Sequence, residues 1–328
     1  MSGTLLEEFM FSTLSGDEVG VICAGVCNAL DPRLAVDFGN ASHELREQTQ
    51  ALPCMQQLRA DHEAAAALCP KLGMRSCKEL REAKAIVWSL SSNSRQYYPI
   101  MHTDQPYYRT VSPTTQADLA LMGRLGSVLP ALEEFELRFD NHEDDVTIKG
   151  PEGVLRLVEG LGAGALPAVR TLRLERVEDA GAEALAAALG RGALVRLEIL
   201  DLGACSVGDV GLVALAPALR RLAALKELNL FGNTFGDDGL TALFAPPPPA
   251  GALSSPTGGL AKLKSLDLND ALITDAGCAV LASALDRGTL PGIKNGGSIW
   301  LESVHNTNAT YDGVLLVYNA AGKYLEGF

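Results

Sequence analysis

One short leucine pattern recurs along the second half of this chain. It has the form L-x-x-L-x-L, and its five copies begin at Leu132, Val169, Leu197, Leu225 and Leu263. These starts are separated by 37, 28, 28 and 38 residues, so two successive intervals have the same length. A sixth, degraded copy uses Ile299, Leu301 and Val304. Apolar side chains that alternate over so few residues are typical of a strand with one buried face, and each copy therefore predicts a β-strand.

A second motif, Asp-x-Gly, follows four of the predicted strands. It occurs at Asp179, Asp209, Asp237 and Asp275, and each time it leads into a stretch rich in alanine and leucine. Aspartate is favoured at the N-terminus of a helix, because its carboxylate accepts a hydrogen bond from a backbone N–H that has no partner within the helix. The sequence therefore predicts that each Asp caps the helix of its own repeat. A single strand and helix cannot bury their shared apolar face alone, so the repeats must stack.

Together the two motifs resemble the leucine-rich repeats of the ribonuclease-inhibitor-like class, whose units run about 28 residues and carry a full helix. Asn233 stands at the ninth position of its copy, where leucine-rich repeats prefer asparagine. The resemblance implies an α/β fold, a solenoid with parallel strands on its concave face and helices on its convex face. It covers residues 129–306 and implies about six repeats.

The regions that flank or interrupt the repeats have a different character. Residues 1–128 do not repeat and are predicted to be mainly α-helical. The first repeat lacks Asp-x-Gly and is followed by an acidic loop at 140–145, which is typical of an N-terminal capping repeat. A proline- and glycine-rich insertion at 245–262 predicts an exposed loop, either a tolerated insertion or a docking segment. Residues 307–328 are predicted to be a C-terminal cap or tail, with 311–318 read as a strand.

The concave face is the candidate surface for a partner. If the leucines of each strand point inward, the residues between and beside them point outward, and the eighteen positions of these outward columns include seven acidic and two basic residues. An acidic strip with exposed aromatics is typical of a protein-binding surface. The alternatives are that the acids keep an exposed sheet soluble and that Trp300 packs under the C-terminal cap. The candidate partner-binding residues are Glu134, Glu136, Arg138, Arg173, Asp201, Glu227, Asn229, Phe231, Asp267, Asn269, Trp300 and Glu302.

The charge of the chain indicates the kind of partner. The net charge is −13, and most of it falls after residue 128. Phosphate groups would be repelled by such a surface, so a nucleic-acid partner is not expected. A protein with a basic surface is the more natural partner.

No motif of catalysis, metal binding or cofactor binding stands out in this sequence. The seven cysteines contain no Cys-x-x-Cys pair, and the five histidines have no Cys or Asp at the spacing of metal ligands. We therefore expect no metal, no cofactor and no enzymatic activity. Cysteines that act as small apolar side chains favour a reducing, intracellular compartment, cytoplasmic or nuclear, with an organelle left open. No run of residues is apolar and long enough to predict a membrane span.

The N-terminal region carries a weaker resemblance. A Leu14-Ser-Gly-Asp-Glu-Val19 start, an apolar helix and an Asp31-Pro32 corner are similar to an F-box at about residues 10–50. The sequence departs from the F-box pattern at Ser15, where a proline is usual, and it lacks the tryptophan near the end of the motif. The resemblance implies a Skp-type linker as partner and a role as substrate adaptor of a ubiquitin ligase. The alternative is a plain helical cap.

Two further functions are compatible with this kind of repeat. Ran GTPase-activating proteins use the same repeat class and an arginine near the first repeats, which makes Arg138, Arg173 and Arg176 the candidates here. The third reading, a stoichiometric inhibitor of a basic enzyme, resembles ribonuclease inhibitor in repeat type and charge. The reading favoured by the sequence is an interaction scaffold without enzymatic activity.

Overall fold

A seven-stranded parallel sheet, with its strands in sequence order, organises the molecule. The computed structural model describes Val19 and residues 53–90, 115–126, 129–139, 150–244, 260–302 and 308–322. The strands are β1 (Ala85–Leu90), β2 (Glu134–Phe139), β3 (Thr171–Leu174), β4 (Ile199–Asp201), β5 (Glu227–Asn229), β6 (Ser265–Asp267) and β7 (Ser298–Trp300). The helices of the described ranges are α1 (Pro53–Lys71), α2 (Cys77–Glu82), α3 (Gln116–Leu125), α4 (Gly150–Glu159), α5 (Glu178–Gly190), α6 (Asp209–Leu219), α7 (Asp237–Phe244), α8 (Asp275–Asp286), α9 (Pro291–Lys294) and α10 (Tyr311–Ala320).

The repeated leucines line up across this sheet. In the central register Phe135 pairs with Leu172, and the row continues through the buried Leu200, Leu228, Leu266 and Ile299. The last leucine of each pattern, from Leu137 to Leu268, is also buried. Stacking in this way lets each strand bury an inward face that it could not bury alone. The prediction of an α/β leucine-rich-repeat solenoid with strands on one face and helices on the other is confirmed.

The helices form the second layer, in which α3 to α8 pack on one another in sequence order and α8 packs on α10. Helices α5 to α8 bury leucines in the core, as Leu185, Leu215, Leu243 and Leu281 show with no exposed surface. Full burial of a leucine side chain is worth about 1.5–3 kcal/mol, so this shared core provides the main stabilisation of the array. Cys69, Cys77, Cys205 and Cys278 are reduced and buried in the same core, which agrees with their reading as small apolar side chains.

The prediction that each motif Asp caps its own helix is wrong. Asp209 is the first residue of α6, and its Oδ1 accepts hydrogen bonds from Gly236 N–H at 2.9 Å and Gly239 N–H at 2.7 Å, at the start of α7 in the next repeat. Asp179 makes the equivalent contacts to Gly208 and Gly211. The first N–H groups of a helix lack partners inside it, and here the preceding repeat satisfies them. The motif therefore joins neighbouring repeats.

The end of the array differs from the prediction as well. Residues 311–318, read from the sequence as a strand, lie in helix α10. The backbone N–H and the hydroxyl of its N-cap, Thr310, donate hydrogen bonds to the Asp275 carboxylate. Gly313 repeats the glycine of the Asp-x-Gly motif, but Tyr311 stands where the motif has Asp. The series of motif aspartates, each bonded to the start of the next helix, thus stops at the last described helix. Thr310 takes up the place that Thr274 has in the repeat before.

At the other end, the sheet holds one strand that the leucine pattern did not predict. Strand β1 pairs along its whole length with β2, from Ala85 opposite Glu134 to Leu90 opposite Phe139. Its inward residues are Ile86 and Trp88, both buried. The region before the repeats is otherwise helical in its described parts, as predicted. The F-box-like segment at about 10–50 (apart from Val19), the acidic loop at 140–145, Val304 and residues 245–259 of the insertion lie outside the described residues.

A buried asparagine and a buried cysteine hold the turns after two strands. The side chain of Asn233 accepts N–H groups of Cys205 and Val207 and donates to the carbonyls of Leu202 and Leu230 at 2.8 Å. Cys205 occupies the same repeat position one copy earlier, and its Sγ lies 3.0 Å from the Leu174 carbonyl oxygen. Burial raises the pKa of the Cys205 thiol to about 11. Both residues therefore satisfy backbone groups inside the turn.

Candidate functional site

Three rows of side chains cross the exposed face of the sheet. The strand register places Glu136, Arg173, Asp201, Asn229, Asp267 and Trp300 in one row, each beside its counterpart on the next strand. Adjacent strands lie about 4.8 Å apart, so neighbours in this row are within reach of one another. The sequence predicted these outward columns, and the sheet register brings them together.

The N-terminal half of this row is an internally neutralised network. The Glu136 carboxylate pairs with the Arg138 guanidinium and lies 3.8 Å from that of Arg173. Arg173 in turn lies 3.8 Å from Asp201 Oδ2. The two arginines and two carboxylates therefore compensate one another on strands β2 to β4.

Asn229 continues this network toward the middle of the sheet. Its Nδ2 donates to Asp201 Oδ1 at 2.8 Å, and its Oδ1 accepts the Phe231 N–H at 3.0 Å. Asp201 Oδ1 also accepts the Gly203 N–H at 3.0 Å. These contacts fix the Asn229 amide and the start of the loop that carries Phe231.

The C-terminal half of the row has no such compensation. Among the described residues, Asp267 forms one hydrogen bond, from the Asn269 N–H at 3.0 Å, and no ion pair. Burial raises the pKa of Asp267, and the negative charges of Asp201, Asp270 and Glu302 raise it further. A half-buried carboxylate whose charged neighbours are all negative favours a positive group brought by a partner.

Two large aromatic side chains are exposed near this carboxylate. Trp300 is next to Asp267 in the register and is 40% exposed, and Phe231, which follows β5, is 38% exposed. Trp300 is thus not packed under the terminal helix, although Tyr318 of that helix reaches the neighbouring Ile299 carbonyl through its hydroxyl at 3.3 Å. An exposed tryptophan next to a carboxylate suits the binding of an apolar or cationic side chain.

The remaining predicted residues differ in how much surface they offer. Glu134 and Glu227, the first residues of β2 and β5, are exposed, whereas Glu302 is half-buried. Asn269 is only 9% exposed, and its Oδ1 accepts the Glu302 N–H at 2.9 Å. Asn269 therefore holds the loops after β6 and β7 together, and it offers a partner little surface.

The arginines considered for GTPase activation also have contacts of their own. Arg138 and Arg173 belong to the network around Glu136, and the guanidinium of Arg176 lies over the Phe139 ring, 5.9 Å from its centroid. The sequence singled out these arginines but did not show that Arg138 and Arg173 both pair with Glu136. The cross-strand register, which sets that pairing, is the signal that was missing.

Comparison with known families bears on the same strands and helices. Three segments of the chain match the leucine-rich repeat. They are residues 197–216, 224–244 and 259–282, which hold the repeats of β4, β5 and β6. This match does not distinguish between subclasses of leucine-rich repeat, so the resemblance to the ribonuclease-inhibitor-like class stays a prediction. No curated protein matches this chain significantly.

The described part of the chain offers little to a metal ion or a small ligand. No group of His, Cys, Asp and Glu side chains there is arranged to hold a metal ion. A small cavity below β2 and β3 is lined by apolar side chains such as Met122, Phe135 and Leu172, with no polar group to orient a ligand. Within those same ranges no helix has the length and apolar character needed to cross a membrane.

Proposed function

We propose that this protein is a non-enzymatic scaffold that binds a protein partner on the concave face of its leucine-rich repeats. The observation that carries the proposal is the uncompensated carboxylate of Asp267 beside the exposed indole of Trp300. Leucine-rich repeats fit such an interaction role.

The partner binds mainly to the C-terminal half of the concave face. On the N-terminal half, a partner would have to break the pairs among Glu136, Arg138 and Arg173 before it gained contacts. On β5 to β7, the partner covers exposed aromatic surface and supplies the positive charge that Asp267 lacks. Desolvated aromatics at the centre of an interface are the residues that contribute most to affinity.

An arginine or lysine next to an apolar residue is the partner feature that fits best. Its cation pairs with Asp267 and lies against the face of Trp300, a contact worth about 0.5–2 kcal/mol depending on its exposure. The net charge of −13 steers a basic partner toward the molecule before contact. An inhibitor of a basic enzyme is one form of this proposal.

A fluorescence titration tests the proposal, because the chain has only two tryptophans. Trp88 is buried, so a Trp88→Phe background leaves the exposed Trp300 as the reporter. Peptides that alternate arginine with leucine should shift its emission, and an alternating glutamate–leucine series should not. Asp267→Asn should weaken binding of the basic peptides about tenfold or more, the usual loss at an interface hot spot.

Two results decide the outcome. Glu134→Gln serves as the matched control, since Glu134 is exposed on the same face but on the neutralised half. The proposal fails if Glu134→Gln weakens binding as much as Asp267→Asn, or if a labelled basic peptide binds equally well after Trp300→Ala.

The two finer alternatives depend on other parts of the chain. The ubiquitin-ligase adaptor requires the F-box-like segment at about 10–50, and a pull-down of the full chain with a Skp-type linker tests it. The GTPase activator requires an arginine that reaches into a nucleotide site, whereas Arg138, Arg173 and Arg176 have partners within this molecule. These contacts do not favour the activator over the scaffold.

A further inference from the structure

The two edges of the solenoid differ in charge. Every strand is followed by a helix and all strands are parallel, so strand starts and helix ends lie at one edge, here called the strand-entry edge. Backbone hydrogen bonds link its neighbouring loops directly, such as Lys264 N–H to the Lys226 carbonyl at 2.7 Å. Equivalent positions of successive repeats therefore form rows along this edge.

Nearly all basic residues of the repeats lie at the strand-entry edge. In residues 150–244 and 260–302, every arginine and lysine is there except Arg156, Arg173 and Arg176. The acidic residues of the same ranges lie elsewhere, apart from Glu159, Glu198, Glu227 and Asp286. A chain with net charge −13 thus has one edge with a surplus of positive charge.

Some of these basic side chains serve the fold. The guanidinium of Arg191 donates to the Leu161 carbonyl at 2.9 Å, and that of Arg287 donates to the Phe244 carbonyl at 3.2 Å, both at ends of neighbouring helices. Such contacts satisfy carbonyls that lack partners within their helices. Glu198 bridges Arg170 at 2.5 Å and Lys226 at 2.6 Å.

Other basic side chains have no such role. Arg196, Lys262 and Lys264 are exposed and have no hydrogen bond or ion pair from their side chains to any described residue. Lys264 follows Lys226 in the register, about 4.8 Å away across the strands. Arg220 and Arg221 are a second pair of neighbouring cations. The pKa of Arg220 is lowered by burial and by the positive charge of Arg221. Among the described residues, Arg196, Lys262 and Lys264 are therefore cations of the strand-entry edge without a paired counter-ion.

We propose that the strand-entry edge binds an acidic segment of a protein partner through Arg196, Lys262 and Lys264. An extended peptide rich in glutamate or aspartate crosses this edge and supplies counter-ions to these three side chains. The phosphates of a duplex nucleic acid would be repelled by the acidic residues of the neighbouring concave face. This site is separate from the concave site, since it takes a partner of opposite charge.

Fluorescence anisotropy with a labelled twenty-residue polyglutamate tests the proposal on the full chain. The wild-type chain should bind it with an affinity that falls steadily as salt is raised. The triple variant Arg196→Glu, Lys262→Glu, Lys264→Glu should bind at least tenfold more weakly. Its matched control is Arg59→Glu, Arg75→Glu, Lys78→Glu, which reverses three exposed charges on or beside helices α1 and α2 and changes the net charge equally.

Four results overturn the proposal, and circular dichroism must first show that both variants are folded. The first is no binding of polyglutamate by the wild-type chain. The second is an equal loss in both triple variants, which would reflect net charge alone. The third is an oligonucleotide that binds as tightly with the same dependence on Arg196, Lys262 and Lys264. The fourth is self-association that the edge variant abolishes while polyglutamate does not compete.

Discussion

The carboxylate of Asp237 holds Thr274 by two hydrogen bonds, accepting its backbone N–H at 3.0 Å and its hydroxyl at 2.6 Å. Thr274 is the N-cap of the next helix, α8, where its Oγ1 accepts the Ala276 N–H at 3.2 Å. One side chain of α7 therefore fixes the start of the following helix. The same relation joins Asp275 to Thr310, so the contact repeats along the array.

Removal of this contact should destabilise the array. Asp237→Ala leaves the Thr274 N–H and hydroxyl without their acceptor, and loss of a helix-capping interaction costs about 1–2 kcal/mol. The adjacent Asp238→Ala is the control, because Asp238 is exposed in the same first turn and makes no side-chain contact to α8 among the described residues. Urea unfolding should separate the two variants, and equal midpoints would contradict the inter-repeat cap.

The glycine of the motif should be required by that same carboxylate. A Cβ on Gly277 would lie 2.2 Å from Asp237 Oδ1, so Gly277→Ala should destabilise although alanine favours a helix by about 1 kcal/mol. Gly190→Ala in α5 is the control, since its added Cβ would come no closer than 3.6 Å to a residue of the neighbouring repeat, at an Arg221 nitrogen. In a double-mutant cycle with Asp237→Ala, the two effects should be less than additive; strict additivity would place the clash elsewhere.

Asp267 should make stability depend on pH in the direction opposite to most carboxylates. Its pKa is raised in the folded state by burial and like charges, so its contribution to stability is present at low pH and is lost as the pH rises through the folded pKa. Asp267→Asn should therefore raise the melting temperature at pH 7. This gain in melting temperature should vanish at a pH below the ordinary pKa range of aspartate, where Asp267 is protonated in both the folded and the unfolded state.

Asp201→Asn is the matched control for that measurement. It lies two strands away in the same row, but it has Arg173 and Asn229 as partners, so its neutralisation removes a contact and should give no gain. Thermal melts of both variants from about pH 3 to about pH 8, a span that includes the ordinary titration range of aspartate, provide the comparison. A lower melting temperature for Asp267→Asn at pH 7 would contradict the assignment.

The buried thiols should be inert in the native protein. Burial raises the pKa to about 11 for Cys205 and to about 12 for Cys69 and Cys278, so almost no reactive thiolate forms at neutral pH. Alkylation with iodoacetamide at pH 7.5, followed by peptide mass mapping, should leave these three unmodified until urea is added. Rapid native labelling of Cys205 would show that its turn opens readily.

The fold was predictable because its signal is local and repeated. The spacing of Leu172 and Leu174, or of Leu228 and Leu230, already shows the strand and its buried face, and the same spacing repeats along the chain. Strand β1 was not predicted because Ile86 and Trp88 occupy the inward positions that leucines occupy in the repeats. The helix at 311–320 was read as a strand because its apolar residues are nearly continuous, and such runs do not separate the two periods.

The concave surface was predictable in its membership but not in its energetics. Alternation along a strand shows that Glu136, Asp201 and Asp267 point the same way. It does not show that arginines compensate two of them and leave Asp267 without a counter-ion, because that depends on which residues the register makes neighbours. Asn269 was included for the same reason, although its position buries it.

The sequence by itself determined the repeat, the face that each strand buries and the excess of negative charge, because these depend on spacing and composition. Only the tertiary structure decided that Asp209 caps the helix after its own and that the basic residues gather at one edge. Both features join residues about one repeat apart, and stacking of the repeats is what brings such residues into contact.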